Sequence, residues 1–221
     1  MDAKVRRFMK NRKTTILFDF DGTLAETMML IHDVFNRLSG VYGYPHMPEE
    51  DIEAHRHLSI REFIEFYGIP IWKVPLIAIH ARRMMHDEMD QVQPPKGLVD
   101  VLTRIHESGG YMMDILTSNR RKNVHCFLSK HRIDWFDEVE STHAILSKKK
   151  RVEKYIRRKG LDPSSLFYVG DTTVDVESAR HAGAKTVAVS WGLNTPEALA
   201  KANPDFLVDD PAQLLDIFPA V

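Results

Sequence analysis

The feature that most constrains this chain is an alternation of short apolar runs, each closed by a turn residue, with stretches of helical periodicity. Residues 14–20 (TTILFDF) end at Asp-Gly, and residues 111–117 (YMMDILT) lead into Ser118-Asn119. Residues 166–170 (LFYVG) stop at Gly170-Asp171, 185–190 (KTVAVS) at Trp191-Gly192, and 205–210 (DFLVDD) at Pro211. Runs this short, rich in β-favouring residues and bounded by turn signals, read as buried strands. Between them, residues 97–108 place Leu98, Val101, Leu102 and Ile105 on one face, with Gly109-Gly110 as a stop. Residues 149–159 do the same with Val152, Tyr155 and Ile156 before Gly160, and Thr195-Pro196-Glu197 has the order of a helix start. Strand and helix in alternation specify an α/β fold: a three-layer, doubly wound, mostly parallel sheet with helices on both faces. Ligand chemistry in such folds gathers at the carboxyl ends of the strands.

One region breaks the alternation. Residues 25–93 carry only helical patterns: Leu30, Ile31, Val34, Phe35, Leu38 and Val41, then SIREFIEFYG at 59–68, then PLIAIHARRMMHDEM at 75–89. Pro94-Pro95 marks the return. The expected organisation is a core of residues 1–24 and 94–221 with an all-helical unit, 25–93, inserted after the first strand.

Composition narrows the classes of function. A chain of 221 residues buries enough surface to fold without disulfides or a structural metal. A net charge of −1 gives no electrostatic case for nucleic acid, and no apolar stretch approaches a membrane span. The basic first thirteen residues lack the apolar core of a signal peptide and read as a solvated arm. The single cysteine, Cys126, fits a reducing, cytoplasmic setting, and its apolar neighbours mark it as a small buried hydrophobe.

Two acidic pairs stand at strand ends. Asp19 and Asp21 flank Phe20, and residues two apart in an extended segment face the same way. Two carboxylates so close resist ionising unless a cation lies between them, and hard oxygen ligands suit Mg²⁺. Asp171 and Asp175 follow the 166–170 run, about one helical turn apart. Asp171 is the natural metal ligand of this pair, with Asp175 orienting it or reaching the metal through water. The simpler alternative is a helix start, with Asp171 as cap and Asp175 as first-turn acid.

These residues resemble a known family. Asp19-Phe-Asp21-Gly-Thr23-Leu after an apolar strand is similar to the first motif of the haloacid dehalogenase superfamily, and Gly-Asp171-x-x-x-Asp175 to its fourth. Thr117 in ILTSN matches the second motif, and a lysine of the Ser147-Lys148-Lys149-Lys150-Arg151 run matches the third. The run lacks the proline many relatives carry; its apolar spacing favours Lys148, with Lys149 and Lys150 as alternatives. The helical insertion stands where a C1 cap belongs, and the tail resembles the phosphoglycolate-phosphatase-like branch.

The resemblance implies a Mg²⁺-dependent phosphatase acting on a small phosphorylated metabolite, as monomer or homodimer, through an aspartyl-phosphate. Asp19 is then the nucleophile and Asp21 the general acid and base; Thr117, the Ser118 amide and Lys148 bind phosphate. Asp19, Asp171 and the backbone carbonyl of Asp21 hold the metal, with Asp175 behind them. The cap is expected to close over the site and choose the substrate. Arg56, His57 and Arg61, near one helix start in the cap, read as surface residues.

Other chemistries on this scaffold are weaker fits. Asp21 counts against a dehalogenase, which needs no acid at that place. Lys73 is the one lysine between residues 25 and 93, and its KVP setting suits a loop better than the Schiff base of a phosphonatase. A phosphomutase, a pyrophosphatase and a catalytically silent binding protein remain as alternatives.

Overall fold

The computed structural model of the chain describes residues 14–86, 88–141 and 148–219. The basic arm and Ser147 lie outside the described residues. Six strands form one parallel sheet in the order β3-β2-β1-β4-β5-β6. They are β1 (Thr14–Phe18), β2 (Tyr111–Thr117), β3 (Glu138–Ser141), β4 (Leu166–Gly170), β5 (Lys185–Val189) and β6 (Phe206–Val208). Phe18 stands opposite Ile115 on one side and Val169 on the other, so β1 is central.

The strands are buried on both faces, as parallel sheets require. Ile16 and Phe18 enter one core cluster, while Leu17, pointing the other way, enters a second. Helices α5 (Leu98–Glu107) and α6 (Arg121–Lys130) supply the first cluster with Leu102, Ile105 and Phe127. Helices α7 (Lys148–Lys159) and α8 (Thr173–His181) supply the second with Val152, Tyr155 and Ala179. Short helices α9 (Pro196–Lys201) and α10 (Leu214–Ile217) complete the layers. Asp114, fully buried within β2, is matched by Lys159 Nζ at 2.8 Å and by the Tyr155 hydroxyl. A buried charge without such partners would be strongly destabilising.

The insertion is helical: α1 (Met28–Tyr42), α2 (Ile52–His55), α3 (Ile60–Phe66) and α4 (Val74–His86). It has a core of its own, including Val34, Leu38, Ile64, Tyr67 and Met85. Ser59 caps α3 through a reciprocal box with Glu62, which trims the expected 59–68 segment at its start.

Several expectations change. Strand β1 stops at Phe18, so Asp19 and Asp21 sit just past the ladder rather than within it. The last strand shrinks to three residues because Asp210 turns to accept from the amide of Ala212 at 2.8 Å. Strand β3 has no apolar signature: only Val139 is buried, and Glu138 and Glu140 pair outward with Arg158, as suits an edge. Val41 is 69% exposed rather than part of the packed face of α1. Cys126 is also exposed. The buried stripe of α6 runs through Asn123, Val124, Phe127 and Leu128, and residue 126 falls on the opposite side.

Candidate active site

Neighbouring strands β1 and β4 are followed by chain leaving in different directions, which opens a crevice at their carboxyl ends. Asp19 enters it directly after β1, its amide donating to the Val169 carbonyl at 2.8 Å. Lys148, the first residue of α7, donates from Nζ to Asp19 Oδ2 at 2.6 Å and also pairs with Asp175. Lys149 and Lys150 point to solvent, so Lys148 is the lysine of that run which enters the crevice. Carboxylate oxygens of Asp19, Asp171 and Asp175 lie within 4.8 Å of one another.

The electrostatics of this cluster are unbalanced. Burial raises the Asp19 pKa, against the opposing pull of Lys148. Burial likewise raises Asp171 well above the usual carboxylate range, and the charges of Asp175 and Asp19 add to the effect. Burial alone would depress Lys148, yet Asp175 and Asp19 outweigh it and hold the ammonium charged. Three carboxylates gathered this closely form an all-oxygen donor set that would suit a hard divalent cation.

The surrounding backbone is shaped to this cluster. Gly22 has φ +75°, and a Cβ there would overlap the Asp171 carboxylate. A Cβ on Gly192 would meet the same carboxylate and the Gly22 carbonyl. Asp171 is further held by the Leu193 amide at 2.7 Å and the Thr23 hydroxyl at 3.2 Å. Thr172, rather than Asp171, caps α8, with Asp175 returning to its amide and hydroxyl. Asp175 therefore acts both as a capping acid and as a partner of Lys148.

Asp21 faces elsewhere. Its Oδ1 accepts from Asn119 Nδ2 at 2.9 Å, and burial, followed by the charge of Asp19, pushes its pKa up to about 7. The orientation of Asn119 is fixed, because its Oδ1 accepts from the Arg120 amide at 2.7 Å, and an amide can only donate. Asn123 Nδ2 donates to the same oxygen at 2.8 Å, and its own oxygen meets His86 Nδ1 at 2.6 Å. A one-way file of donors thus runs from the end of α4, through α6, to Asp21. Thr117 is fully buried and its hydroxyl accepts from the Asn119 amide at 2.9 Å, which shapes the turn that exposes Ser118.

Asp19, Asp21, Ser118, Lys148 and Asp171 line one cavity of about 300 Å³ between core and insertion. Thr117 and Asp175 stand behind its wall. Its lining also includes two buried arginines that the sequence does not single out, Arg82 of α4 and Arg151 of α7. Helical spacing puts Arg151 one turn beyond Lys148, which was the available signal; nothing local distinguishes Arg82 from Arg83.

Arg56 also departs from expectation, while His57 and Arg61 are exposed as expected. The Arg56 side chain is only 14% exposed. Its guanidinium donates to the carbonyls of Ser190 at 3.0 Å, Gly192 at 2.8 Å and Leu193 at 3.2 Å. Asn194 Nδ2 replies by donating to the Arg56 carbonyl at 2.7 Å. The insertion is thereby tied to the loop that grips Asp171. Lys73 lies away from the cavity, donating to the Tyr42 carbonyl at 2.9 Å, and its neighbour Trp72 is 73% exposed.

The chain is similar to known proteins in sequence and in fold. The family model for haloacid dehalogenase-like hydrolases matches residues 16–189. A phosphoglycolate phosphatase of Synechococcus elongatus is 33% identical over 90% of this chain and 94% of its own. The pyrophosphatase PpaX of Bacillus cereus is 29% identical over 92% of this chain and 95% of its own. A haloacid dehalogenase-like family protein of Streptococcus pneumoniae shares the fold with a TM-score of 0.77 at 21% identity, over 94% of this chain and 99% of that one. The chain belongs to the haloacid dehalogenase-like hydrolase family.

Proposed function

We propose that this phosphatase hydrolyses a small phosphomonoester, of which phosphoglycolate is the leading candidate, with Mg²⁺ and through an aspartyl-phosphate on Asp19. The observation that carries the reading is the Lys148 ammonium between Asp19 and Asp175, with Asp171 alongside, at the mouth of a small cavity. Asp19 Oδ attacks phosphorus and the ester oxygen departs, so that one hard displacement becomes two easier ones. Asp21 gives its proton to the departing oxygen, then takes one from the water that opens the acyl phosphate. A pKa of about 7 suits a group that must act as acid and then as base near neutral pH.

The Ser118 amide and Lys148 face the phosphoryl oxygens, where charge is greatest during transfer. Asp19, Asp171 and the Asp21 carbonyl are the groups that would hold the metal, which when bound screens an anionic nucleophile from an anionic substrate. Asp175 fixes Lys148 and Thr172. The helical insertion serves as the cap, and its residues lining the cavity would screen the reaction from water when closed. No described helix is long and apolar enough to cross a membrane. The 29% identical pyrophosphatase makes inorganic pyrophosphate the second reading.

The test is phosphate release from phosphoglycolate, pyrophosphate and an aryl phosphate, with Mg²⁺ and with chelator. Release that requires Mg²⁺ and vanishes in Asp19→Asn is the expected result. A folded wild type inactive on every ester would move the protein to the silent, ligand-binding class.

A further inference from the structure

A second cavity, of about 220 Å³, adjoins the catalytic one. The cap supplies most of its lining, from α1 with Met28, Ile31 and Phe35 and from α3 with Ile60 and Phe63. The core supplies the rest, from the start of α8 and from the loop that grips Asp171. Met28, Ile31, Ile60, Val174 and Leu193 line both cavities, so this annex lies directly beside the reacting groups.

What the annex offers a ligand is apolar surface. Its polar side chains are already engaged with one another and with the backbone. Asn194 accepts from the Thr173 amide at 2.9 Å and donates to the Arg56 and Leu58 carbonyls at 2.7 Å and 3.2 Å. The Arg56 guanidinium is committed to the carbonyls of Ser190, Gly192 and Leu193, and the Thr172 hydroxyl donates to Asp175 at 2.6 Å. His32 Nε2 meets the Met47 carbonyl at 2.9 Å, and His55 Nδ1 meets the Tyr67 hydroxyl at 3.3 Å. The apolar side chains are in the opposite condition. Val34 and Leu38 of α1 are buried, whereas Met28, Ile31 and Phe35 of the same helix are only half-buried, as are Leu58, Ile60 and Phe63. Accessible apolar surface in a cleft is what an apolar ligand group covers, with a gain that scales with the area.

We infer that the annex receives an apolar portion of the leaving group, so that the site takes phosphomonoesters of alcohols bearing a short alkyl chain or a single ring. This rests on the phosphatase reading and extends it beyond glycolate. In that reading the phosphoryl group sits on Asp19, Ser118 and Lys148 of the core, and the remainder of the ester points to the cap, where the annex lies. A cavity of about 150 Å³ lined by Leu, Ile and Phe side chains holds benzene. The annex therefore has room for a ring and part of its tether. A sugar placed there would bury hydroxyls against apolar walls, which is costly.

The experiment measures kcat/KM of the full chain with Mg²⁺ on ethyl, butyl and 2-phenylethyl phosphate, whose leaving alcohols are close in acidity. Values should rise about fourfold for each methylene buried. 3-Hydroxypropyl phosphate, which exchanges the terminal methyl of the butyl ester for a hydroxyl, should fall about tenfold or more below it. Leu58→Trp, which adds bulk to the annex, should bring these ratios close to one. A flat series, or ratios unchanged in Leu58→Trp, would overturn the inference. Should the variant fail to fold, wild-type binding of pentylphosphonate and 4-hydroxybutylphosphonate decides the matter, with about tenfold tighter binding of the first expected and equal affinity fatal. Simultaneous binding of 2-phenylethanol and pentylphosphonate would make the annex a separate effector site and overturn the inference as well. Turnover of ethyl phosphate with no gain along the series keeps the phosphatase reading and removes the annex. If no ester is hydrolysed, the phosphatase reading falls, and the phosphonate pair still judges the annex.

Discussion

Asn119 donates to Asp21 across 2.9 Å with its amide orientation dictated by the backbone behind it. The carboxylate assigned proton transfer in the proposed mechanism is therefore steered by a residue outside the acidic cluster. Asn119→Ala should lower kcat roughly 10–100-fold with a much smaller change in KM, since a hydrogen bond to a charged group is worth about 1.5–3 kcal/mol. His86→Ala, which removes the far end of the same file, should lower kcat less. Steady-state kinetics of both variants check this order, and equal effects on kcat and KM would argue against it.

Lys148 pairs with two buried acids at once. Lys148→Met should leave Asp19 and Asp175 facing each other without a cation, at a cost of about 3–5 kcal/mol. Thermal denaturation in chelator should show the loss, and Mg²⁺ should recover part of it. Phosphate release should fall to background because the phosphoryl group loses its fixed cation.

The raised carboxylate pKa values set a pH dependence of stability. Folding favours the neutral forms of Asp21 and Asp171, so their stabilising contribution is complete below the unfolded pKa, near 4, and is lost as pH rises through the folded values. For Asp21 that window closes at about 7. In chelator, the melting temperature should fall by several degrees between pH 5 and pH 8, on the order of what ~1–2 kcal/mol produces in a chain of this size. Mg²⁺ selects the ionised carboxylates and should flatten or reverse the trend. A melting temperature in chelator that climbs over this range would contradict the assignment.

Arg56 ties the cap to the loop that positions Asp171. Arg56→Ala removes the guanidinium hydrogen bonds to the loop carbonyls and should weaken Mg²⁺ binding several-fold, read by calorimetry without substrate. Hydrogen exchange should quicken together in residues 52–58 and 190–195. Faster exchange confined to the cap segment would mean that the tie is local and does not reach Asp171.

Much of this was legible in the sequence because it is local. Strand β4 and the Asp171–Asp175 spacing follow from an apolar run, a turn and a helical period. Lys148 was separable from its neighbours because Val152, Tyr155 and Ile156 set the phase of α7. What sequence did not disclose depends on distant chain. Strand β3 carries charges that make sense only beside Arg158 of α7. Arg56 looked like a surface residue because its acceptors lie more than 130 residues away. Apolar neighbours in sequence do not place Cys126 inside, because half a helical turn separates facing in, at Val124, from facing out. Arg82 gains meaning only when α4 comes to line the cavity that holds Asp19 and Asp21.

The Arg56 contact has a consequence for how this protein can diversify. Its acceptors are main-chain carbonyls, which every residue type presents alike. Side chains at positions 190 and 193 can thus drift without loosening the cap, so long as the path of the loop is kept. A single-residue insertion or deletion there would move all three carbonyls out of register. Relatives that retain this clasp should tolerate varied spelling in the loop and very little variation in its length.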